Sequence, residues 1–329
     1  MSLKKVVEAI KSNKNFLITT HVNPEGDALG SELVIYRLLR TLGKHAVIIN
    51  EDNLPAAYDF LPGINKIKKL KKSLKNIKFD CFVALDCSDL KRCGKVSRIN
   101  LNNRPIINID HHISNEGFGD INWIEPNASS TSEMLYKLYK RLRIPLDRST
   151  AVSLYVGILT DTGSFHYSNT SALTHKIASE LLRLNLDIAK IYKKAYEEIP
   201  FSDMKLLSKI LPTISRQLHG KIAWLQIRKN LLKNKITSID LTEHLLSFAR
   251  SIKDVEVAVL FKENLGQKNE VRVNLRSQGK IDVNKIARFF GGGGHKTASG
   301  CTIKGRIEDV RRRVLNKIRE SFHESHIRP

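Results

Sequence analysis

Only four cysteines occur in 329 residues, Cys81, Cys87, Cys93 and Cys301, and no two form a C-x-x-C pair. That spacing excludes a dense disulfide framework and a structural zinc cluster, and it reads as free thiols in a reducing compartment. No apolar run approaches the roughly 18 residues needed to cross a bilayer, so no membrane span is expected. The opening segment MSLKKVVEAIKSNKNF lacks both an apolar signal core and a small-residue cleavage site. It reads as a short amphipathic helix, and the expected location is the cytoplasm. Acidic residues are scarce as well, 33 against 55 Lys and Arg, leaving a net charge of +22. Such an excess favours anionic partners, of which nucleic acid is the commonest, although solubility alone would also accommodate it. Residues 217–329 hold 23 basic and 11 acidic side chains, so the last third is the more basic part per residue.

What is present fits an ordinary globule: 41% hydrophobic and 27% charged residues, in a chain long enough for two domains. The first half alternates strand and helix patterns. Strands are expected at Phe16–Thr20, Ala46–Ile49, Phe79–Leu85 and Pro105–Ile109. Helices are expected at Ala28–Leu42, Ser132–Arg141, Thr150–Leu159 and Leu173–Leu184. This rhythm predicts a mostly parallel sheet flanked by helices. From Gly220 the pattern changes to a smaller α+β domain. Its strands are expected at Ile222–Ile227, Val255–Phe261 and Val271–Leu275, and its helices at Asp240–Ala249, Val283–Phe290 and Glu308–Ile318. The expected division is a first domain over 1–185, a helical linker over 186–216 and a second domain over 217–329. Two features have bland readings. In INKIKKLKKSLKNIK, residues 64–78, an apolar stripe makes the lysines the solvated face of a helix. Ser130 and Glu133 have capping-box spacing and start a helix.

Four clusters of metal-ligand residue types fall where strands of the first half are expected to end. They are His21-Val-Asn-Pro-Glu25-Gly-Asp27, Asp86 with Asp89, Asp110-His111-His112, and Asp161 after the helical run at 150–159. Singly, an Asp after a strand is more often a cap or turn residue. Together they would crowd carboxylates and imidazoles into one crevice outside the strand ends, where ligands bind in open parallel sheets. Carboxylates so placed raise one another's pKa, and divalent cations remove that cost. Mostly oxygen ligands with two imidazoles and no thiolate suit Mn²⁺, or Mg²⁺, better than structural zinc. Two such ions about 3.5–4 Å apart make a clamp for phosphoryl chemistry.

The set resembles the DHH phosphoesterase family, named for the tripeptide at 110–112. All four N-terminal motifs occur in family order. The C-terminal companion motif is present as Gly291-Gly-Gly-Gly-His295-Lys-Thr-Ala-Ser-Gly300, preceded by Leu275-Arg276-Ser277. In architecture the chain looks most like the short-RNA oligoribonucleases that also dephosphorylate 3′-phosphoadenosine-5′-phosphate (pAp). The resemblance implies one metal at His21, Glu25 and Asp86, and a second at Asp27, Asp86, His111 and Asp161, with Asp86 bridging. It implies Asp86, Asp110 and His112 as the catalytic group, His112 approaching the scissile phosphate. It implies a substrate clamp of Gly291, Gly292, Gly293, Gly294 and His295, with Arg276, Ser277 and His166 as further contacts. The glycine amides themselves suggest an anion-binding nest. Two positions depart from the pattern: Glu25 stands where the family usually has Asp, and His166 where relatives often have Arg.

The expected function is therefore metal-dependent hydrolysis of short single-stranded oligoribonucleotides to mononucleotides, and of pAp to AMP. Expected partners are these RNA and nucleotide substrates and no membrane, with a homodimer left open. A linear or cyclic dinucleotide phosphodiesterase is the alternative enzyme. A catalytically silent RNA- or nucleotide-binding protein is the alternative of another class.

Overall fold

The apolar runs of the first half become strands because alternate side chains enter different layers. The computed structural model describes residues 2–71, 77–232, 241–263 and 269–326. They form two units, Met1–Glu198 and Ile199–Pro329. In the first, α1 (Ser2–Ser12) leads to β1 (Asn15–Thr19), α2 (Gly26–Thr41), β2 (His45–Asn50), β3 (Ile67–Lys69), β4 (Cys81–Leu85), β5 (Ile106–Asp110) and β6 (Ile121–Ile124). Four helices follow: α3 (Thr131–Leu142), α4 (Arg148–Asp161), α5 (Ala172–Leu182) and α6 (Ile188–Tyr192). The sheet order is β3-β2-β1-β4-β5-β6 and every pairing is parallel. Phe16 and Ile18 of β1, with Cys81, Val83 and Leu85 of β4, pack into the core that α1 to α6 cover. Leu17, Phe82 and Ala84 enter a second core with Cys93, Val96 and Ile99 from a 3₁₀ segment, Leu90–Ile99. Burial on both faces is what makes these strands read as continuous apolar runs.

Over the described residues of 64–78 the expected helix does not form. Ile64–Lys66 is a single 3₁₀ turn and β3 pairs beside β2 at the sheet edge; residues 72–76 lie outside the described residues. Ile67 is buried while Lys68 and Lys69 are exposed, so the lysines are solvated as expected, on an edge strand that their charge protects from further pairing.

The second unit runs α7 (Phe201–Ile210), β7 (Ser215–Gln217), β8 (Ile222–Ile227), α8 (Lys229–Leu232), α9 (Thr242–Arg250), β9 (Val257–Glu263), β10 (Glu270–Ser277), α10 (Val283–Phe289), β11 (Gly293–Gly294), β12 (Ala298–Lys304) and α11 (Ile307–His326). Its sheet, β11-β12-β10-β9-β8-β7, is antiparallel except for β8 beside β9. Val257, Val259 and Phe261 of β9 face α10 and α11, whereas Ala258 and Leu260 face α7 and α9. The expected α/β first half and smaller α+β second half are both present. The stretch 186–216 holds α6, a π-helical turn at Lys193–Glu197, α7 and the start of β7, and the division between units falls within it. Asp240, where the helix now seen at Thr242–Arg250 was expected to begin, lies outside the described residues.

Candidate metal centre

In the first unit, strand order reverses between β1 and β4, so the chain leaves these neighbouring strands in opposite lateral directions and opens a crevice. His21 lies just beyond β1 and Asp86 just beyond β4, and they meet there, Nε2 3.6 Å from Oδ2. Asp86 adopts a left-handed backbone, φ 53°, which a non-glycine residue holds only when its surroundings fix it. Its amide donates to Ile109 O at 2.9 Å, and its Oδ1 accepts from Thr131 Oγ1 at 3.1 Å. Asp110 ends β5 and delivers His111 and His112 to the same crevice. Asp161 comes from the last residue of α4 rather than from a strand end, which corrects the expectation of four strand ends. Helix α4 can reach this point because Gly157 lacks a side chain. A Cβ there would collide with Ser132 Oγ and lie 2.6 Å from Asp27 Oδ1.

His111 Nε2 stands 3.2 Å from Asp161 Oδ2, 3.6 Å from Asp86 Oδ1 and 4.0 Å from Asp27 Oδ2. One ligand atom from each of Asp27, Asp86 and His111 lies within 4.8 Å of the others, and Asp86, Asp110 and His112 form a second such group. His21 Nδ1 bonds Val22 O at 2.8 Å and His111 Nδ1 bonds Ala128 O at 3.1 Å. A carbonyl only accepts, so each Nδ1 carries the proton and each Nε2 turns toward carboxylates. Asp110 is fully buried. Its Oδ1 accepts from His111 N (2.9 Å) and His112 Nδ1 (2.7 Å), and its Oδ2 from Asn115 Nδ2 (2.5 Å). These bonds fit Asp110 to orient His112 rather than to bind an ion.

The charges of these groups conflict with one another. Burial, then Asp86, pushes the Asp27 carboxyl up to about 6, against the pull of His111 and Ser132. Burial drives Asp161 well above the carboxylate range; Asp27, Asp86 and Glu25 add to it and His111 opposes it. Burial opposes ionisation of Asp86 too, but His21, His112 and His111 hold it far below the usual range. Burial pulls His111 down, but Asp161, Asp86, Asp27 and Asp110 together raise it to about 9. Three carboxylates thus converge around imidazole nitrogens whose other side is tied to backbone. Asp161 Oδ2 is buried and accepts no hydrogen bond. This donor set fits divalent cations.

The other expected site residues divide by location. Glu25 caps α2 in an extended conformation and is exposed; its side chain makes no cap bond and lies outside the two convergent groups. His166 is exposed, its ring edge-on to Tyr167, in the loop after Asp161. In the second unit, the Arg276 guanidinium is forked onto Glu243, and Ser277 Oγ donates to Ile281 O at 2.7 Å, closing a turn. The glycine run is not an open nest. The amides of Gly291, Gly292 and His295 already donate to the carbonyls of Arg288, Ala287 and Ala298, and Gly293–Gly294 pairs with Gly300 and Ser299. A Cβ at Gly292 would collide with Gly300 O, so glycine is needed there for strand approach.

Sequence reasoning missed the groups that hold the carboxylates. The N-terminus of α3 donates Thr131 N to Asp27 Oδ2 at 2.7 Å and Ser132 N to Asp27 Oδ1 at 2.9 Å. Free amides and the helix dipole favour a negative charge at that end. Ser130 caps α3 through Glu133 N at 3.0 Å, as its spacing predicts, and the Glu133 side chain takes Ser129 instead of returning to Ser130.

The chain matches known proteins over both units. Residues 15–158 match the N-terminal domain of the DHH family and residues 228–324 match the DHHA1 domain. The chain belongs to the DHH family. It is 30% identical to a bifunctional oligoribonuclease and PAP phosphatase NrnA of Thermus thermophilus, covering 97% of this chain and 94% of that one. It is 28% identical to the protein of the same name from Bacillus subtilis, over 91% and 92% of the two chains. A crystal structure of an exopolyphosphatase-related protein from Bacteroides fragilis superposes with a TM-score of 0.86 at 28% identity, covering 98% of this chain and 96% of that one. Family membership and the carboxylate–imidazole groups support a phosphoesterase-type hydrolase. Among the described residues no helix is long and apolar enough to cross a membrane.

Proposed function

We propose that the protein hydrolyses short single-stranded oligoribonucleotides to mononucleotides, and pAp to AMP, with two divalent cations, Mn²⁺ foremost. The observation that carries this reading is the convergence of Asp27, Asp86 and Asp161 on His111 Nε2, with His21 Nε2 on the far oxygen of Asp86. His21, Glu25 and Asp86 would hold one cation, and Asp27, Asp86, His111 and Asp161 the other, so that Asp86 serves both. When bound, the cations supply charge neutralisation at the phosphate and an acidified attacking water. The chain's own residues do the rest. Thr131 and the α3 amides fix the carboxylates, and Asp110 aims His112 through its 2.7 Å bond. His112 meets the reacting phosphate and steadies its charge. His295 and the Gly291–Gly294 segment hold the substrate, with Arg276, kept in line by Glu243, Ser277 and His166 as further contacts. The names borne by the relatives support the RNA and pAp substrates.

The test is a metal-dependent assay on the purified chain, offering Mn²⁺ with short RNAs, pAp and cyclic dinucleotides. Release of mononucleotides and of AMP, abolished by chelation and restored by Mn²⁺, is the expected result. Turnover confined to cyclic dinucleotides would replace this reading with a dinucleotide phosphodiesterase. Tight RNA binding without any turnover would make the chain a binding protein.

A further inference from the structure

Helices α10 and α11 of the second unit meet in a surface that is aromatic and basic at once. Phe289, the last residue of α10, is 65% exposed. It packs edge-on to Phe290, with centroids 5.0 Å apart at 88°. Lys317 Nζ stands 4.8 Å from the Phe289 centroid, and the Arg313 guanidinium 5.6 Å from that of Phe290. Arg313 and Lys317 are four apart on α11, so one helix face carries both cations across the aromatic pair. Arg288 is exposed beside Phe289. Lys317 also bonds Glu320 at 2.8 Å, an ion pair at the water-exposed rim that costs little to exchange.

We infer that this surface is a binding subsite for single-stranded RNA, with a base stacked on Phe289 and backbone phosphates held by Arg288, Arg313 and Lys317. The inference deepens the reading of the chain as a short-RNA hydrolase and rests on it for the ligand class. Three features point to nucleic acid rather than protein. Open aromatic rings beside cations form the stacking platform that single strands use, and every base offers a π-face to it. Lysine is depleted at the cores of protein interfaces, whereas here Lys317 lies over the Phe289 ring. The net positive charge of residues 217–329 complements a phosphate backbone. The surface also runs directly into the glycine motif. Gly291 follows Phe290 with φ 77°, and a Cβ there would meet nothing within 4 Å, so there is room beside it for an RNA strand even though its amide is bonded to Arg288 O. A strand of several nucleotides offers Phe289 more bases to stack on than a dinucleotide does.

The experiment compares the full-length wild type with Phe289→Ala and Phe289→Tyr, using fluorescence anisotropy of a labelled RNA of about eight nucleotides in EDTA. Phe289→Ala should weaken binding about tenfold, the scale of one lost stacking contact, and Phe289→Tyr should bind as wild type does. In turnover with Mn²⁺, Phe289→Ala should raise KM for the octamer about tenfold more than KM for a dinucleotide. Equal octamer affinity in Phe289→Ala and wild type overturns the inference. So does sedimentation showing that Phe289→Ala breaks up a wild-type dimer, which would assign the ring to an interface between copies. Ring-dependent binding by a wild type that turns over no substrate would support the subsite and remove the catalytic reading instead.

Discussion

Asp86 carries more of the site than any other residue. Its two oxygens face different imidazoles, His21 on one and His111 with His112 on the other, and Thr131 fixes the second. Asp86→Ala should therefore lose at least one cation and cost at least about 10²–10⁴-fold in turnover, with the fold retained by circular dichroism. A folded Asp86→Ala protein of full activity would remove the two-cation account. Glu25 is the opposite case, an exposed carboxylate outside the buried groups, one methylene longer than the aspartate usual in the family. Metal–oxygen distances tolerate only about 0.2 Å. Glu25→Asp should stay active with metal preference changed by less than about tenfold, whereas Glu25→Ala should weaken one ion's binding sharply. Calorimetric titration reads both, and two equally tight ions in Glu25→Ala would show that Glu25 is no ligand. The converging carboxylates and imidazoles were legible in sequence because each motif stands in a short turn after an element. Thr131 and the Ala128 carbonyl were not. Backbone donors and acceptors carry no residue signature, and Thr131 is 104 positions from the Asp27 it serves.

At the scale of elements, the site depends on how closely α4 approaches α2 and α3. Gly157→Ala places a methyl group against Ser132 and Asp27. It should lower divalent-cation affinity by roughly 10–100-fold, as changes to groups that orient ligands do, and titration of the variant against wild type checks it. The crowded carboxylates also link stability to pH. Asp27 titrates near 6 in the folded chain against an ordinary 3.8, so the folded state holds the extra proton, and metal-free stability falls as pH rises from about 4 to about 6. His111, raised from 6.5 to about 9, contributes stability that is full below about 6.5 and lost as pH rises to about 9. The two slopes have the same sign. A bound cation stabilises the ionised carboxylates that the metal-free fold tolerates poorly. The gain in Tm from Mn²⁺ over EDTA should therefore grow between about pH 5 and pH 8, and a flat or shrinking gain by thermal melting would contradict this electrostatic picture. The long buried elements were readable from pattern. β4 shows a continuous apolar run because both of its faces are covered, and α9 to α11 show helical periodicity. β3 was not, because three residues at a sheet edge, two of them solvated lysines, fall within a helix-like spacing of Ile64, Ile67 and Leu70. β11 was not, because two glycines have no side-chain pattern to read.

For the whole molecule, the account is that a basic two-unit chain of the DHH family uses its cation centre on short RNA. Phosphates are few in such substrates, so affinity should decline only shallowly with salt. The +22 charge fits an anionic partner and fits solubility equally well, and the preferred substrate length cannot be read from the sequence. The direct measurement is a length series with Mn²⁺ at fixed salt, following initial rates of mononucleotide release from single-stranded RNAs of about 2 to about 20 nucleotides. The account predicts that the 2- to 5-mers are degraded fastest. Faster degradation of the 20-mers would contradict it and make the protein a processive exonuclease.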